Sequence, residues 1–331
     1  MRTTMLRAVT AVLTAVAAAA LMSAAPPPGD YVMHTVGRGE TVSLICIKYY
    51  GRYSPELASA IRRANPGVAN INMVKPGQKL RLRRPIKAQE PAAAAVSAEE
   101  KALYEYHVQA NQGVVTLVEG KARLKRPGKA TAALAANTIL APGDTVETGP
   151  NGRAEIIINR ESVVRLSANS RMTVSVLRDA EGNAGKTTLG ASLGAFWTKV
   201  RATKDRLCRF ELELPTAIAG VHGTVYQTSV AADQSAEVKV YDGEVSVSGK
   251  SAAGAGAALG PGEVPGPGEV PGPHEVTMEE WVRIVRAMQR ITVDKSGVPS
   301  EPSDFERKDS DAWERYNEER DSLIADILTE I

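Results

Sequence analysis

Between residues 112 and 250 the chain is a succession of short β-prone runs, each closed by Gly, Asn or charged residues. Val114-Val115-Thr116-Leu117-Val118, Ala154-Glu155-Ile156-Ile157-Ile158 and Val163-Val164-Arg165-Leu166 are too short for helices and rich in β-branched side chains. Glu237-Val238-Lys239-Val240-Tyr241 and Glu244-Val245-Ser246-Val247 flank Asp242-Gly243, which predicts a hairpin with a type I′ turn. Many short strands at turn spacing predict a mainly β domain, a sandwich or a β-helix-like stack. A chain of 331 residues has room for about two such domains and further segments.

Charge divides the rest. The formal net charge of +2 hides eleven basic and two acidic residues in 31–87, a net +9, and eight basic against seventeen acidic in 251–331, a net −9. Two cysteines are too few for a disulfide scaffold or a Cys-rich zinc site, and Cys46 and Cys208 read as separate free thiols. With 5% aromatic residues, a stacking platform for nucleic acid is excluded as an expectation.

Arg2 and Arg7 precede an apolar run, Ala8-Val9 through Leu21-Met22, followed by Ser23-Ala24-Ala25. A positive start, a short apolar core and small residues read as an export signal over 1–25. If that segment stays uncleaved it becomes a membrane anchor.

Residues 31–84 predict strand, helix, helix, strand. Met33-His34-Thr35-Val36 is β-prone, and Glu40-Thr41 opens a helix with Val42, Ile45, Cys46 and Tyr49 at helical spacing. Gly51 stops it, and Ser54-Pro55 starts the next as N-cap and first helical residue. Residues 85–111, with an Ala/Pro-rich stretch near Pro91–Val96, predict a linker, and 251–276 a Gly/Pro-rich spacer that repeats Gly-Glu-Val-Pro-Gly-Pro. For the acidic end, 277–331, two helices are expected. Thr277 is placed as cap of one bearing Trp281, Val285, Met288 and Ile291, and a second starts near Ser310 with Trp313, Tyr316, Leu323, Ile327 and Ile331 on one side.

Residues 31–84 resemble the LysM family, through His34-Thr35-Val36, Gly39-Glu40-Thr41, Tyr49-Tyr50-Gly51, Ala64-Asn65-Pro66-Gly67 and Val74-Lys75-Pro76-Gly77-Gln78-Lys79-Leu80. The resemblance implies a βααβ fold that binds peptidoglycan or another N-acetylglucosamine-containing glycan. It places the groove at Gly39, Glu40, Thr41 and Val42 with Asn70, Ile71, Asn72 and Met73. Residues 113–248 resemble the FecR periplasmic domain, through Gly143-Asp144-Thr145-Val146-Glu147-Thr148-Gly149, Arg165-Leu166-Ser167-Ala168-Asn169-Ser170, Leu214-Pro215-Thr216 through Gly223-Thr224, and Asp242-Gly243. Asn159-Arg160-Glu161-Ser162, where that family usually has Asp-Gly, and His222, where Arg is usual, depart from the pattern.

The expected fold class is therefore α+β multidomain: a small βααβ module, a mainly β domain, then C-terminal helices. No enzyme motif is complete. Val221-His222-Gly223-Thr224 looks like one element of L,D-transpeptidases, but no Cys follows it, and the four histidines lack metal-ligand spacing. The expectation is an exported, non-catalytic protein of the periplasm or cell envelope without cofactor or metal. It would bind peptidoglycan through residues 31–84 and use the β domain for scaffolding, sensing or contact with an envelope protein. Two alternatives stand beside it, a peptidoglycan-active enzyme and a membrane-anchored FecR-type signalling regulator. Against the latter, about seven residues precede the apolar run, few for a cytoplasmic segment.

Overall fold

In a computed structural model of the chain, the structure describes residues 31–84, 112–159, 161–177, 186–201, 209–221, 223–249, 281–307 and 311–325. The expected export signal, linker and spacer, together with Cys208 and His222, lie outside the described residues.

The N-terminal module runs in the expected order: β1 (Tyr31–Thr35), α1 (Val42–Tyr50), α2 (Pro55–Ala64), a single 3-10 turn at Ile71–Met73, and β2 (Lys79–Arg83). β1 and β2 pair antiparallel. Thr41 caps α1 and Ser54 caps α2, each hydroxyl accepting the N–H of the third residue on, and Gly51 ends α1 in the left-handed region. Asn65 closes the module from within. Its side chain donates to Ile61 O (2.7 Å) and Arg81 O (2.9 Å) and accepts from Arg81 N (2.8 Å), tying the end of α2 to β2.

The second unit is a sandwich of two sheets, as the β-prone runs predict. Its strands are β3 (Gly113–Glu119), β4 (Ala122–Lys125), β5 (Ala132–Ala133), β6 (Ile139–Leu140), β7 (Thr145–Thr148), β8 (Arg153–Ile158), β9 (Ser162–Leu166) and β10 (Arg171–Val176). There follow β11 (Lys186–Val200), β12 (Arg209–Glu213), β13 (Ala217–Val221), β14 (Val225–Val230), β15 (Ala236–Asp242), β16 (Glu244–Gly249), β17 (Val282–Arg286), β18 (Gln289–Val293) and β19 (Ser303–Asp304). Sheet I runs β6-β3-β8-β9-β11-β14-β15-β18-β19. Sheet II runs β5-β4-β7-β10-β11-β12-β13-β16-β17. β11 serves both, crossing at Gly194, whose φ of +93° and distance of 2.6 Å from a built Cβ to Ser170 Cα leave room for glycine alone. Val164, Leu166, Phe196, Leu212, Tyr226, Val238 and Val247 are among the side chains that fill the space between the sheets.

Two expectations are corrected. β15 and β16 do not form a hairpin with each other. β15 pairs with β14 and β18 in sheet I, and β16 with β13 and β17 in sheet II, so Asp242-Gly243 is an arch between sheets. Gly243 has φ +79°, which suits either turn, so the local signal did not separate the two topologies. The helix expected from Thr277 to Ile291 is instead β17 and β18, joined at Ala287-Met288 with Met288 at φ +65°. The apolar spacing of Trp281, Val285, Met288 and Ile291 fits a helix. The concentration of Val and Ile, and the open edges of β16 and β15 that only the folded domain supplies, decide for strands. The C-terminal helix α3 spans Ala312–Leu323, capped by Asp311.

Candidate functional site: a three-way junction on sheet I

β8 and β9 are buried on both faces. Alternate residues (Ala154, Ile156 and Ile158; Val164 and Leu166) point between the sheets, while Ile157 and Val163, with Val114 of β3, join the apolar core of the N-terminal module. That core includes Val42, Leu44, Ile45, Leu57, Ile61, Leu80 and Leu82, so the module sits on the outer face of sheet I. Polar contacts fix its orientation. Gln112 exchanges hydrogen bonds with the Tyr53 backbone, accepting at 3.2 Å and donating at 2.8 Å. Asn137 accepts from Ser43 N at 2.9 Å and donates to Asn72 Oδ1 at 3.0 Å.

α3 lies on the same outer face and turns a polar surface inward. Glu314, Asn317 and Arg320, spaced three apart, are buried. Leu323, expected on the buried side, is 45% exposed. Trp313 and Tyr316 stack on each other and lie over Arg153 at the rim.

At the centre is Glu155, 1% exposed, directly opposite Arg165 across the β8–β9 ladder. Glu155 Oε2 accepts from Arg165 Nε and Arg320 Nε, both at 2.8 Å, and Oε1 accepts from Arg320 Nη2 and Thr116 Oγ1, both at 2.8 Å. Arg165 also donates to Asp321 Oδ1 at 2.6 Å, and Trp197 Nε1 donates to Asp321 Oδ2 at 3.3 Å. Tyr241 donates its hydroxyl to Glu314 Oε1 at 2.5 Å. Burial pushes the Glu155 carboxyl up, but the Arg165 and Arg320 guanidiniums more than offset this and hold it at about 2. Two carboxylates and two guanidiniums thus make a neutral, hydrogen-bonded cluster in a water-poor interface, the condition under which buried charge is tolerated.

Arg320 extends the cluster into the module, where its Nη1 donates to Gly39 O at 2.9 Å. Gly39 is the first of the expected groove residues. Next to it, Glu40 accepts from Gly37 N (2.7 Å) and is paired with His34 Nε2 (2.7 Å). The Thr41 hydroxyl donates to Thr116 O on β3 at 2.7 Å, and Val42 is fully buried. On the facing loop, Asn70 caps the 3-10 turn and Ile71 is buried, while Asn72 is exposed but bonded to Asn137. Met73 is 70% exposed. The first of the two loops is therefore joined to the β domain and α3, and the second lies largely open.

None of Glu155, Arg165, Arg320 and Asp321 is among the site residues expected from the sequence, where Glu155 and Arg165 figure only within β-prone runs and a family motif. Two of them carry a signal, being lone charges inside otherwise β-branched runs. Burial pushes the Cys46 thiol up, and among the described residues no group of three His, Cys, Asp or Glu is placed to hold a metal. Two cavities, of about 760 and 460 Å³, lie elsewhere on the β domain, beside Ser229, Glu237, Thr292 and Ser300 and beside Lys121, Arg123 and Pro150. Among the described residues no helix is long and apolar enough to cross a membrane.

Residues 144–246 match the family described as FecR protein. The chain contains a FecR domain. The match spans β7 through the first half of β16, so it takes in strands of both sheets and, with Glu155 and Arg165, the centre of the junction. Residues 32–83 match a different family from the LysM one their motifs resemble, that of Phage Tail Protein X. No curated protein matches the chain. Among solved structures, two crystal structures from Parabacteroides distasonis ATCC 8503, each provisionally assigned as an anti-sigma factor, are similar at 15% identity. The TM-scores are 0.35 and 0.33, and the alignments cover 51% and 48% of this chain and 63% and 59% of those chains.

Proposed function

We propose that the protein is an exported, non-enzymatic component of the cell envelope, in which the FecR domain serves FecR-type sensing and signalling toward a protein partner. The observation that carries this reading is the junction. One outer face of the β domain holds both the N-terminal module and α3, and Arg320 bridges the two, bonding Glu155 on one side and Gly39 O on the other, so a change that moves α3 removes a contact of the Gly39–Val42 loop. An interface that can exchange one packing for another turns a local contact into a change elsewhere. An Arg320→Ala variant should mimic release. Cells producing it should show a transcriptional response, confined to few genes, that wild-type cells show only under the inducing condition. An unchanged transcript profile in the variant, with the protein present at wild-type level, would sink the reading.

Binding of peptidoglycan by the module, which the LysM resemblance implies, belongs to the released state in this scheme, because Gly39 O is taken up by Arg320 of α3 and the Thr41 hydroxyl by Thr116 O of β3. Purified sacculi should then retain Arg320→Ala better than wild type. Equal retention of both would detach glycan binding from the junction. Incubation with sacculi should leave the muropeptide profile unaltered, and new products would instead favour an enzyme.

A further inference from the structure

The two-stranded ladder of the N-terminal module carries its helices on one face only. The register pairs Tyr31 with Arg83, Met33 with Arg81 and Thr35 with Lys79, so these six side chains share the opposite face. Lys79 and Arg81 are exposed, Arg83 is partly so, and Met33 is 59% exposed. The Arg81 guanidinium lies 4.6 Å from the centre of the Tyr31 ring. Same-face residues along a strand are about 7 Å apart, so the three cations stand in a row and repel one another. None of them has an ion-pair partner among the described residues. Residues 31–84 hold ten basic residues and two acidic, a net +8, and one of the two acids, Glu40, is turned inward to His34 and Gly37.

A flat face that combines unneutralised cations, an exposed thioether and an aromatic ring is complementary to an anionic surface with an apolar layer beneath it. We propose that this face docks on an anionic phospholipid membrane. Lys79, Arg81 and Arg83 meet headgroup phosphates, and Met33 and Tyr31 enter the headgroup–acyl boundary, where amphipathic rings are favoured. Chain length selects a membrane over a soluble polyanion. The apolar run ends at Met22 and β1 begins at Tyr31, so eight residues intervene. Fully extended they span at most about 29 Å, which keeps the ladder within reach of the headgroups of any membrane holding that run. This proposal does not depend on the sensing reading.

The test is flotation of the full chain with phosphatidylcholine vesicles, with and without phosphatidylglycerol. The apolar run contributes to both lipid mixtures, so the gain on adding the anionic lipid isolates the ladder. Each cation near such a surface contributes about fivefold, so the gain should be about a hundredfold. It should vanish in the Lys79→Gln/Arg81→Gln/Arg83→Gln variant and fall about fivefold in Arg81→Gln alone. Met33→Ser should weaken binding to both mixtures. These side chains are exposed, so thermal unfolding should be unchanged, and the single variant preserves the test if the triple one misfolds. The proposal is overturned if the anionic gain survives the triple substitution. It is equally overturned if inorganic polyphosphate binds wild type as tightly as the anionic vesicles through the same three residues, making the ligand a soluble polyanion.

Discussion

A single carboxylate, Glu155, organises the junction through Arg165 and Arg320. Its carboxyl is held at about 2, below its ordinary 4.5, so it stabilises the fold fully above pH 4.5. That contribution is lost as pH falls toward 2, because protonation discharges the partner of two buried guanidiniums. Urea unfolding between pH 5 and pH 2 should show this decline in the wild type and a shallower one in Glu155→Gln. Glu155→Ala leaves two buried guanidiniums facing each other and should cost about 3–5 kcal/mol in the same assay. Cys46 gives a second prediction at this scale. Fully buried, with its thiol pushed up, it should resist iodoacetamide in the native protein and react only on unfolding, as peptide mapping would show.

At the scale of elements, the decisive feature of α3 is that its buried side is the polar one. The sequence pattern of Trp313, Tyr316 and Leu323 predicts that the apolar stripe is buried, but Trp313 and Tyr316 are only half-buried at the rim and Leu323 is exposed. Here the surface on offer bears Glu155, Arg165 and Trp197, and Glu314, Asn317 and Arg320 supply the complementary groups. Removing residues 311–331 should therefore raise amide hydrogen exchange at Gly39–Val42 and at Val163–Arg165, and leave β12 and β13, which lie in the other sheet, unchanged. The arch between β15 and β16 has its own test. A Cβ at Gly243 would meet Gly223 O at 2.6 Å, in a backbone conformation that favours glycine. Gly243→Ala should cost about 1–3 kcal/mol in thermal unfolding, with the loss falling on both sheets.

Across the whole molecule, module and β domain share one apolar core through Val114, Ile157 and Val163. Burying each such side chain contributes about 1.5–3 kcal/mol, so the two units should melt together. Ile157→Asp places a charge in that core and should undock the module. Small-angle scattering would then show a larger radius of gyration, and calorimetry two transitions instead of one. If the variant keeps a single transition and the wild-type radius, the shared core does not hold the units together.

Local signals sufficed for much of this protein. The caps Thr41 and Ser54, the stop at Gly51 and the β-branched runs of the FecR domain are legible because each depends on residues within a few positions of one another. The run Ile156-Ile157-Ile158 even hints that β8 is covered on both sides, although nothing local says by what. Partners distant in sequence are another matter. Whether Asp242-Gly243 makes a hairpin or an arch, whether Val282–Val293 is helix or strand, and which side of α3 is buried each depend on edges and charges that exist only after the sheets assemble. Glu155 and Arg320 stand 165 residues apart. Tertiary structure alone brings them together, because a buried charge is stable only where its counter-charge is delivered by the rest of the fold.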